Sequence, residues 1–323
     1  MNQNLLELCN VSVEYAVQNG FLSAVDSVSF SIREGEIFAV VGESGCGKST
    51  VASAIMRLLQ EENVNIEGEI LYKGRNLLKL SKKDMQKIRG AEIGMIFQNP
   101  LDSLNPVYRT GKQVEEALRQ EGFSREEAKK RTLDLYRAVQ IPDAERRMRS
   151  FPHELSGGMR QRVMISMMLA RKPRLLIADE PTTALDVTIE AQILNLLREL
   201  RSENNTSIMV VTHNFGIVSE IADRVAVMYA GQLVELADVG EIFRNPQHPY
   251  TQALIGALPR RSKREGRIST IPGNVPRIIE KTQGCRFANR CAYATDACRA
   301  ETPILTEISE GHFVKCQRSE KHE

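Results

Sequence analysis

The sequence contains no tryptophan and no apolar run long enough to cross a bilayer. Its longest apolar stretches, IFAVV and VMISMMLA, are strand-sized or flanked by charge, whereas a membrane-spanning helix needs about 20 apolar residues. The first residues, MNQNLLELCN, also lack the charged start and apolar core of a signal peptide. We therefore expect a protein of the reducing cytosol that does not itself span a membrane.

An excess of charge of one sign is also missing. The 43 lysines and arginines nearly balance the 41 aspartates and glutamates, and the formal net charge is +2. This balance gives no support to a nucleic-acid partner held by bulk charge. The length of 323 residues allows one large domain with an appendage, or two modest domains.

Four of the six cysteines cluster near the end of the chain, with the spacing C-x5-C-x6-C-x17-C: Cys285, Cys291, Cys298 and Cys316. A reducing compartment disfavours a disulfide framework, and the close C-x2-C pairs of strong zinc signatures are absent. Four thiolates favour a metal centre, either structural zinc or an iron–sulfur cluster, over reduced thiols without a ligand. The spacing does not choose between the two metals. We interpret Cys9 and Cys46 as incidental.

The order of apolar patterns predicts an α/β protein. Short strands are expected over residues 5–41, followed by a helix from Lys48. Over residues 112–150, apolar residues at helical spacing between charged ones predict a helical insertion, with Ser124 as an N-cap. The strand–helix–strand order RLLIADE, TIEAQILNLLRELRSEN and SIMVVTH is typical of a parallel sheet covered by helices. Residues 259–290, with nine Lys/Arg against two Glu, read as a linker into a cysteine-bearing module.

Residues 42–50, GESGCGKST, match the phosphate-loop pattern G-x-x-x-x-G-K-[ST] between an apolar strand and a helix. Glycines let the backbone N–H groups turn inward around phosphate, and the helix N-terminus adds positive potential. We expect Lys48 to reach the β- and γ-phosphates and Ser49 to ligate Mg²⁺. The motif alone indicates only an NTPase.

Two further motifs refine this interpretation. RLLIADEP ends a strand on Asp179, placed to hold Mg²⁺, and Glu180, placed to orient or deprotonate the attacking water. ELSGGMRQR offers a second set of N–H groups and a hydroxyl through Ser156, Gly157 and Gly158. Since one phosphate loop already serves this chain, these residues are expected to serve a nucleotide held by a partner subunit; the plainer alternative is a serine N-cap.

The phosphate loop, MIFQNP, LSGGM, LLIADEP, TALD and VVTHN occur in the order found in ATP-binding-cassette (ABC) ATPases, which the chain resembles over roughly residues 1–255. The resemblance implies that Gln98 senses Mg²⁺ and the attacking water, that Asp186 links two active sites across a dimer, and that His213 contacts the γ-phosphate and the catalytic glutamate. Tyr15 resembles the aromatic that stacks on adenine. The residues expected to surround ATP in the loop are Gly42, Glu43, Ser44, Gly45, Cys46, Gly47, Lys48, Ser49 and Thr50.

The resemblance also implies a fold and a domain plan. We expect a P-loop NTPase core with a parallel sheet, an N-terminal antiparallel β part, a helical subdomain at about 101–165 and a small irregular C-terminal cysteine module. The nucleotide-binding domain would cover 1–255 and the extension 256–323. Met159 stands where many members of the family have glutamine, but Ser156, Gly157 and Gly158 are intact.

Three segments, FQNPLDSLNPVYRTGKQVEE, ELSGGMRQRVMISMMLARKPRLLIADEPTTALDVTIEAQIL and NPQHPYTQALIGALP, are similar to the ATPase subunits of oligopeptide/dipeptide importers, whose relatives also take up nickel or glutathione. This implies ATP hydrolysis at the cytoplasmic face of the membrane, as a peripheral subunit that drives uptake of a peptide-like solute. The implied partners are two permeases, a second ATPase subunit, paralogous or identical, and an external solute-binding protein.

The same branch implies a 4Fe–4S cluster on the four cysteines, with Zn²⁺ as the alternative. Basic residues nearby, Arg286, Arg290 and Lys315, are expected to offset the charge of a thiolate-ligated cluster. Two other functions stay open: an ABC ATPase that acts on nucleic acid, and a regulator that responds to iron or redox state. The nucleic-acid class usually carries long coiled-coil insertions, zinc modules or two cassettes, for which the distance from Lys48 to Ser156 leaves little room.

Overall fold

The computed structural model describes residues 3–18, 20–60, 62–98, 104–182, 187–258, 271–279 and 283–318. The chain forms two compact units: residues 1–80 together with 211–323 make the first, and residues 81–210 make the second. Across the described ranges, no helix combines the length and the apolarity that a bilayer crossing requires.

Twelve strands lie in the described part of the chain. In chain order they are β1 (Asn4–Val17), β2 (Gly20–Arg33), β3 (Ile37–Val41), β4 (Val64–Tyr72), β5 (Arg75–Asn76), β6 (Ile93–Ile96), β7 (Leu175–Asp179), β8 (Ser207–Thr212), β9 (Arg224–Tyr229), β10 (Gln232–Asp238), β11 (Thr306–Ser309) and β12 (His312–Val314).

The helices of the same residues are numbered separately. They are α1 (Lys48–Ile55), α2 (Lys82–Ile88), α3 (Thr110–Gln120), α4 (Arg125–Ala138), α5 (Ala144–Arg147), α6 (Gly157–Ala170), α7 (Val187–Asn204), α8 (Phe215–Ile221), α9 (Val239–Arg244), α10 (Pro249–Gly256) and α11 (Asp296–Ala300), with short 3₁₀ turns at Leu77–Lys79, Pro152–Glu154 and Ala288–Arg290.

The first unit contains an antiparallel sheet and a mixed one. The antiparallel sheet has the order β2-β1-β4-β5, and it agrees with the N-terminal antiparallel β part that the resemblance implies. In the mixed sheet, β3 and β9 are parallel, and β10, β12 and β11 follow β9 in antiparallel pairs. All five residues of β3 are buried, because strands of this kind are covered on both faces.

The segment after residue 283 belongs to this first unit. Its strand β12 joins the sheet by pairing with β10, with Glu235 opposite Val314. Phe287, 3% exposed, packs in the same hydrophobic core as β3 and β9, and Cys285 and Cys291 lie against that core. The expectation of a separate, small irregular module is therefore not supported. A sequence pattern cannot show that this segment joins the sheet, because β12 is only three residues long and pairs with a strand far away in the chain.

The second unit combines strands with a group of helices. β6 pairs in parallel with β7, and β8, which runs to the boundary of the unit, is the next neighbour of β7. Helices α3 to α5 occupy the region where the sequence predicts a helical insertion, and α6 follows it. The predicted N-cap at Ser124 is confirmed, because its hydroxyl accepts from the Glu127 N–H while the Glu127 carboxylate accepts from the Ser124 N–H.

A buried histidine caps α10 in the first unit. His248 is 1% exposed, and its Nδ1 accepts the Tyr250 N–H at 3.0 Å. Burial lowers the pKa of His248, the nearby Glu235 carboxylate raises it by less, and the resulting pKa is about 4. The ring is therefore neutral in the folded protein, and protonation would remove the capping acceptor and place a positive charge at a helix N-terminus.

We predict that this histidine makes folding pH-dependent. The pKa in the folded state lies below the ordinary value near 6.5, so the unfolded chain binds the proton first and stability falls as the pH drops from about 6.5 to about 4. The loss attributable to His248 is about 3 kcal/mol. Denaturant unfolding of the wild type and of His248→Asn across this range measures it, because asparagine keeps a capping oxygen but does not titrate. Equal pH slopes in the two proteins would contradict the assignment.

Candidate functional site

The phosphate loop connects β3 to α1 in the first unit. Gly42 has φ 153° and Gly47, the N-cap of α1, has φ 102°. A Cβ on Gly42 would lie 2.2 Å from the Met228 carbonyl oxygen, and one on Gly47 would lie 2.3 Å from the Ala24 carbonyl oxygen. Both glycines are thus required by backbone conformation and by the closeness of neighbouring backbone.

Lys48 lies inside the curve of the loop and is only 5% exposed. Its Nζ donates to the Gly42 carbonyl at 2.8 Å and to the Glu43 carbonyl at 3.0 Å. Ser49, at the start of α1, is exposed, as are Ser44 and Gly45 at the tip of the loop. The loop therefore combines a buried ammonium, an exposed hydroxyl and a helix N-terminus, which together suit a phosphate.

Cys46, one of the loop residues expected to surround ATP, lies next to this ammonium. It is fully buried, and its Sγ is 3.7 Å from the Lys48 Nζ. Burial raises the pKa of the Cys46 thiol more than Lys48 lowers it, so the side chain packs as a small neutral group.

In the second unit, the carboxyl end of β7 carries the predicted acidic pair. Asp179 is 5% exposed, and Glu180 follows it with φ 46°, a left-handed conformation that is costly for a non-glycine residue. The Gln98 Nε2 donates to the Glu180 carboxylate at 2.8 Å. The structure thus brings together Gln98 and Glu180, which are 82 positions apart and which the sequence assigns to the same reaction.

The Ser-Gly-Gly segment opens α6 in the same unit. The Ser156 hydroxyl accepts the Met159 N–H at 3.3 Å, as a serine N-cap does. Gln161, on the first turns of α6, donates its side-chain amide to the carbonyl of Pro181, the residue after Glu180. A Cβ on Gly157 would meet no heavy atom of the described residues within 4 Å. The fold of this chain therefore does not itself require glycine at position 157.

His213 and Tyr15 are also predicted to contact the nucleotide. His213 is exposed and directly follows β8, before Asn214, which caps α8 through its side chain. Tyr15 is half-buried on β1, opposite Leu22 and Val64. Asp186 lies outside the described residues, so its role stays a prediction.

Four cysteines line one cavity of about 20 Å³ in the first unit, together with His248, Phe287 and Tyr293 among others: Cys285, Cys291, Cys298 and Cys316. The Cys285 N–H donates to the Cys298 carbonyl at 2.7 Å, which brings two of the four positions together. Within the described ranges, however, no three Cys, His, Asp or Glu side chains are gathered closely enough to hold a metal ion.

The thiols differ in acidity. Burial raises the pKa of Cys285, Cys291 and Cys316, and neighbouring cysteines raise it further. For Cys298, burial also opposes ionisation, but hydrogen bonds from the Thr295 hydroxyl and from backbone N–H groups outweigh it and lower the pKa. Cys298 is therefore the most readily ionised of the four.

Two arginines that were expected to offset the charge of the cysteine site point elsewhere, which corrects that expectation. The Arg286 Nη2 lies 2.7 Å from the Asp26 carboxylate, and the Arg290 Nη1 lies 2.7 Å from the Glu43 carboxylate. Sequence proximity to a cysteine predicted the wrong partner, because the carboxylates that pair with these arginines are about 250 residues away in the chain.

These observations define a P-loop ATPase of the ATP-binding-cassette class. The ABC transporter family profile matches residues 25–183, and the profile for the C-terminal region of oligopeptide/dipeptide transporters matches residues 234–298. Among solved structures, the chain is similar to the dimeric ATP-binding cassette MJ0796 bound to ADP and Pi, with 30% identity, a TM-score of 0.66 and coverage of 72% of this chain and 98% of the other. The protein cbiO1 from Clostridium perfringens, part of the ABC transporter complex cbiONQ, is 27% identical, with a TM-score of 0.65 and coverage of 82% and 100%.

Curated relatives match nearly the whole chain. A probable peptide ABC transporter ATP-binding protein of Sinorhizobium fredii is 48% identical over 98% of this chain and 95% of its own. The oligopeptide transport protein OppD of Bacillus subtilis is 48% identical (96% and 88% covered), and the dipeptide transport protein DppD of Escherichia coli is 45% identical (97% and 96%). The chain belongs to the ABC transporter ATP-binding subunits of the oligopeptide/dipeptide branch, and it is an ATPase of that family.

The motifs did not reveal three side chains that position this machinery. Tyr250 accepts the Glu43 N–H through its hydroxyl at 2.9 Å, Arg290 pairs with the Glu43 carboxylate, and Gln161 reaches Pro181. Gln161 lies within ELSGGMRQR and Tyr250 within NPQHPYTQALIGALP, but neither stretch by itself predicts these contacts. Tyr250 and Arg290 are far from the loop in sequence, and no local pattern pairs them with it.

We predict opposite stability effects for alanine at two motif glycines. Gly42→Ala forces a Cβ against the Met228 carbonyl and should lower the free energy of unfolding by at least about 2 kcal/mol. Gly157→Ala, at the first helical position of α6 with open space around it, should leave stability unchanged or raise it by about 0.5 kcal/mol. Chemical denaturation measures both, and equal losses in the two variants would contradict the contrast.

Proposed function

We propose that this chain hydrolyses ATP to drive uptake of di- or oligopeptides, or a related small solute, through partner permeases. The observation that carries the proposal is the match over residues 234–298 to the C-terminal region of oligopeptide/dipeptide transporters, in addition to the cassette match over 25–183. The relatives named above are transport subunits, which supports transport over the nucleic-acid alternative.

ATP binding is assigned to the phosphate loop and Tyr15. The N–H groups of residues 42–50 and the Lys48 ammonium contact the phosphates, and Tyr15 stacks on adenine. The Ser49 hydroxyl, the Gln98 amide oxygen and the Asp179 carboxylate are oxygen ligands of the kind that Mg²⁺ prefers. If these residues held Mg²⁺, the ion would supply positive charge to offset the negative charge that develops during phosphoryl transfer.

Hydrolysis is assigned to Glu180, Gln98 and His213. Glu180 orients the attacking water and accepts its proton. The Gln98 amide, 2.8 Å from the Glu180 carboxylate, holds that carboxylate and responds to the γ-phosphate end of the nucleotide. His213, exposed at the end of β8, contacts the γ-phosphate. The left-handed backbone of Glu180 supports this assignment, because such strain is concentrated at functional sites.

Ser156, Gly157 and Gly158 serve the nucleotide of a second ATPase subunit. Position 157 is exposed and no described neighbour requires it to be glycine, which fits close approach by a group from outside the chain. Two ATP molecules then lie between head-to-tail subunits, Asp186 links the two sites, and release of phosphate reopens the pair. A dimeric cassette is among the solved structures that the chain resembles.

The remaining assignments concern the assembly. The nucleotide-binding domain covers residues 1–255, with its helical subdomain at about 101–165, and the extension covers 256–323. The subunit lies at the cytoplasmic face of the membrane as a peripheral protein, with two permeases and an external solute-binding protein as further partners. Part of the segment LDSLNP, proposed to lie near the permeases, falls outside the described residues.

We predict that Glu180→Gln binds ATP like the wild type but lowers turnover at least about 100-fold, because the amide cannot accept a proton. Equilibrium binding of ATP and steady-state phosphate release measure the two effects. Gln98 retains a hydrogen-bonding partner in this variant, so the local structure is preserved. Near-normal turnover would remove Glu180 from its role.

Transport itself is tested by another assay. ATPase activity of the complete complex in lipid vesicles, purified with its permeases, should rise when a peptide-loaded binding protein is added. Stimulation by DNA or RNA and not by peptide would favour the nucleic-acid alternative.

The four cysteines are proposed to hold a 4Fe–4S cluster, with Zn²⁺ as the alternative. The donor set fits, because both centres are held by thiolates and all four thiols line one cavity. No three described Cys, His, Asp or Glu side chains form a ligand set in this structure, so binding requires the thiols to rearrange. Cys316 is 9% exposed, which suits a ligand shielded from water.

We predict that anaerobically purified protein contains iron and sulfide in equal amounts, about four of each per chain, as the cluster composition requires. Iron, zinc and acid-labile sulfide analysis of the wild type and of Cys298→Ser measures it. One zinc per chain without sulfide would contradict the cluster and assign the site to zinc. Absence of both metals would leave four reduced thiols and would not affect the ATPase assignment.

A further inference from the structure

The segment between the first two cysteines of the cavity, Arg286–Arg290, contacts the phosphate loop and its neighbours at three points. We call these five residues, RFANR, the RFANR segment. Its two arginines flank Phe287 and are themselves flanked by Cys285 and Cys291. All of these contacts lie within the first unit of the structure.

Arg290 makes the strongest of the three contacts. Its Nη1 donates to one oxygen of the Glu43 carboxylate at 2.7 Å and its Nη2 to the other at 2.9 Å. The remaining donors reach the Pro272 and Gly273 carbonyls, at 2.8 and 3.1 Å, and the Tyr229 hydroxyl at 3.4 Å. All five N–H groups of the guanidinium are therefore used, and the side chain is only 7% exposed.

Glu43 is the residue that these bonds hold. It is the second residue of the phosphate loop, and its three polar groups each have a different partner. Its N–H donates to the Tyr250 hydroxyl at 2.9 Å, its carbonyl accepts from the Lys48 ammonium at 3.0 Å, and its carboxylate accepts from Arg290. Arg290 is thus connected through one residue to the lysine that is proposed to bind the phosphates.

Phe287 supplies the second contact. Its ring packs edge-on against Tyr229 at 5.1 Å between centroids and lies 5.3 Å from the ring of Tyr250. Tyr250 is the residue whose hydroxyl accepts the Glu43 N–H. Through Tyr250, Phe287 therefore supports Glu43, the loop residue whose carboxylate Arg290 binds.

Arg286 makes the third contact, towards the other end of the loop. Its guanidinium, 4% exposed, pairs with the Asp26 carboxylate at 2.7 Å and donates to the Ala230 carbonyl. The next residue, Gly231, donates its N–H to the Cys46 carbonyl at 2.9 Å and accepts from the Asp26 N–H at 2.8 Å. The RFANR segment is thus connected to residue 43 at the start of the loop and to residue 46 near its end.

Charge gives Arg290 a second effect on the loop. Glu43 places a carboxylate beside a site that must accept a triphosphate, and the carboxylate side chain is 29% exposed. Paired with a guanidinium in bidentate geometry, this charge is neutralised; unpaired, it repels the phosphates at short range. The ion pair therefore both fixes the loop and makes its charge compatible with ATP.

We propose that Arg290 is a positioning residue for ATP binding, and that through it the cysteine-bearing segment supports the phosphate loop. ATP affinity then depends on a residue that does not touch ATP. This inference rests on the proposed function only in taking residues 42–50 as the ATP-binding loop.

The test compares four variants with the wild type, each as full-length, anaerobically purified protein. We expect Arg290→Ala to weaken ATP binding about tenfold, equivalent to about 1.4 kcal/mol, and Arg290→Lys to weaken it less, since lysine keeps the charge but not the two-pronged geometry. The double variant Glu43→Gln with Arg290→Ala should recover part of the affinity, because no carboxylate is left unpaired. Arg299→Ala, at a 55% exposed arginine outside the RFANR segment, is the matched control and should bind as the wild type does.

The separate effects of Arg290→Ala on KM and on kcat distinguish a positioning role from destabilisation of the fold. In the ATPase assay Arg290→Ala should raise the KM for ATP and leave kcat at saturating ATP near the wild-type value, with thermal unfolding showing that the protein is folded at the assay temperature. Wild-type ATP affinity in folded Arg290→Ala would overturn the proposal. So would a double variant that binds no better than Arg290→Ala. Lys48→Ala distinguishes the failures, because unchanged ATP binding in that variant would overturn the proposed function instead.

Discussion

The phosphate loop of this chain depends on close contact between its backbone and the backbone of neighbouring segments. Gly42 lies against the Met228 carbonyl and Gly47 against the Ala24 carbonyl, at distances that leave no room for a Cβ. Inside the loop, the buried Lys48 ammonium donates to the Gly42 and Glu43 carbonyls. The same lysine is the group proposed to contact the phosphates, so one charge would serve both the loop and the ligand.

In the second unit the corresponding constraint is the end of β7. The strand β7 is fully buried and ends at Asp179. The next residue, Glu180, has a left-handed backbone conformation, and its carboxylate accepts a hydrogen bond from Gln98. The bond from Gln161 to the Pro181 carbonyl connects this turn to the helix that carries the Ser-Gly-Gly segment. Groups proposed to serve two different nucleotides are thereby mechanically connected within one unit.

The C-terminal cysteine segment is part of the first unit and is not an appendage to it. Strand β12 continues the sheet, Phe287 enters the core, and two arginines form ion pairs with carboxylates of the N-terminal half. Each arginine neighbours a cysteine in sequence, so one short segment carries both the cysteines and the arginines that pair with Asp26 and Glu43. This gives the segment a structural connection to the phosphate loop that does not depend on a bound metal.

Much of the fold was predictable from the sequence because its signals are local. The buried strands, the phosphate loop, the helix from Lys48 and the Ser124 cap each depend on residues within a few positions of one another, and the structure contains all of them. The motifs also pointed to the chemical groups of the site, since chemistry requires particular residue types at fixed spacing.

By itself, then, the sequence determined the class of the protein and the local elements that carry its motifs. Only the tertiary structure decided which distant side chains meet. It paired Arg290 with Glu43 and Arg286 with Asp26, although the sequence suggested the cysteines, and it brought β12 to β10. The physical reason is that a pairing across 247 residues leaves no periodicity or spacing in the chain, and burial decides which carboxylate an arginine must satisfy.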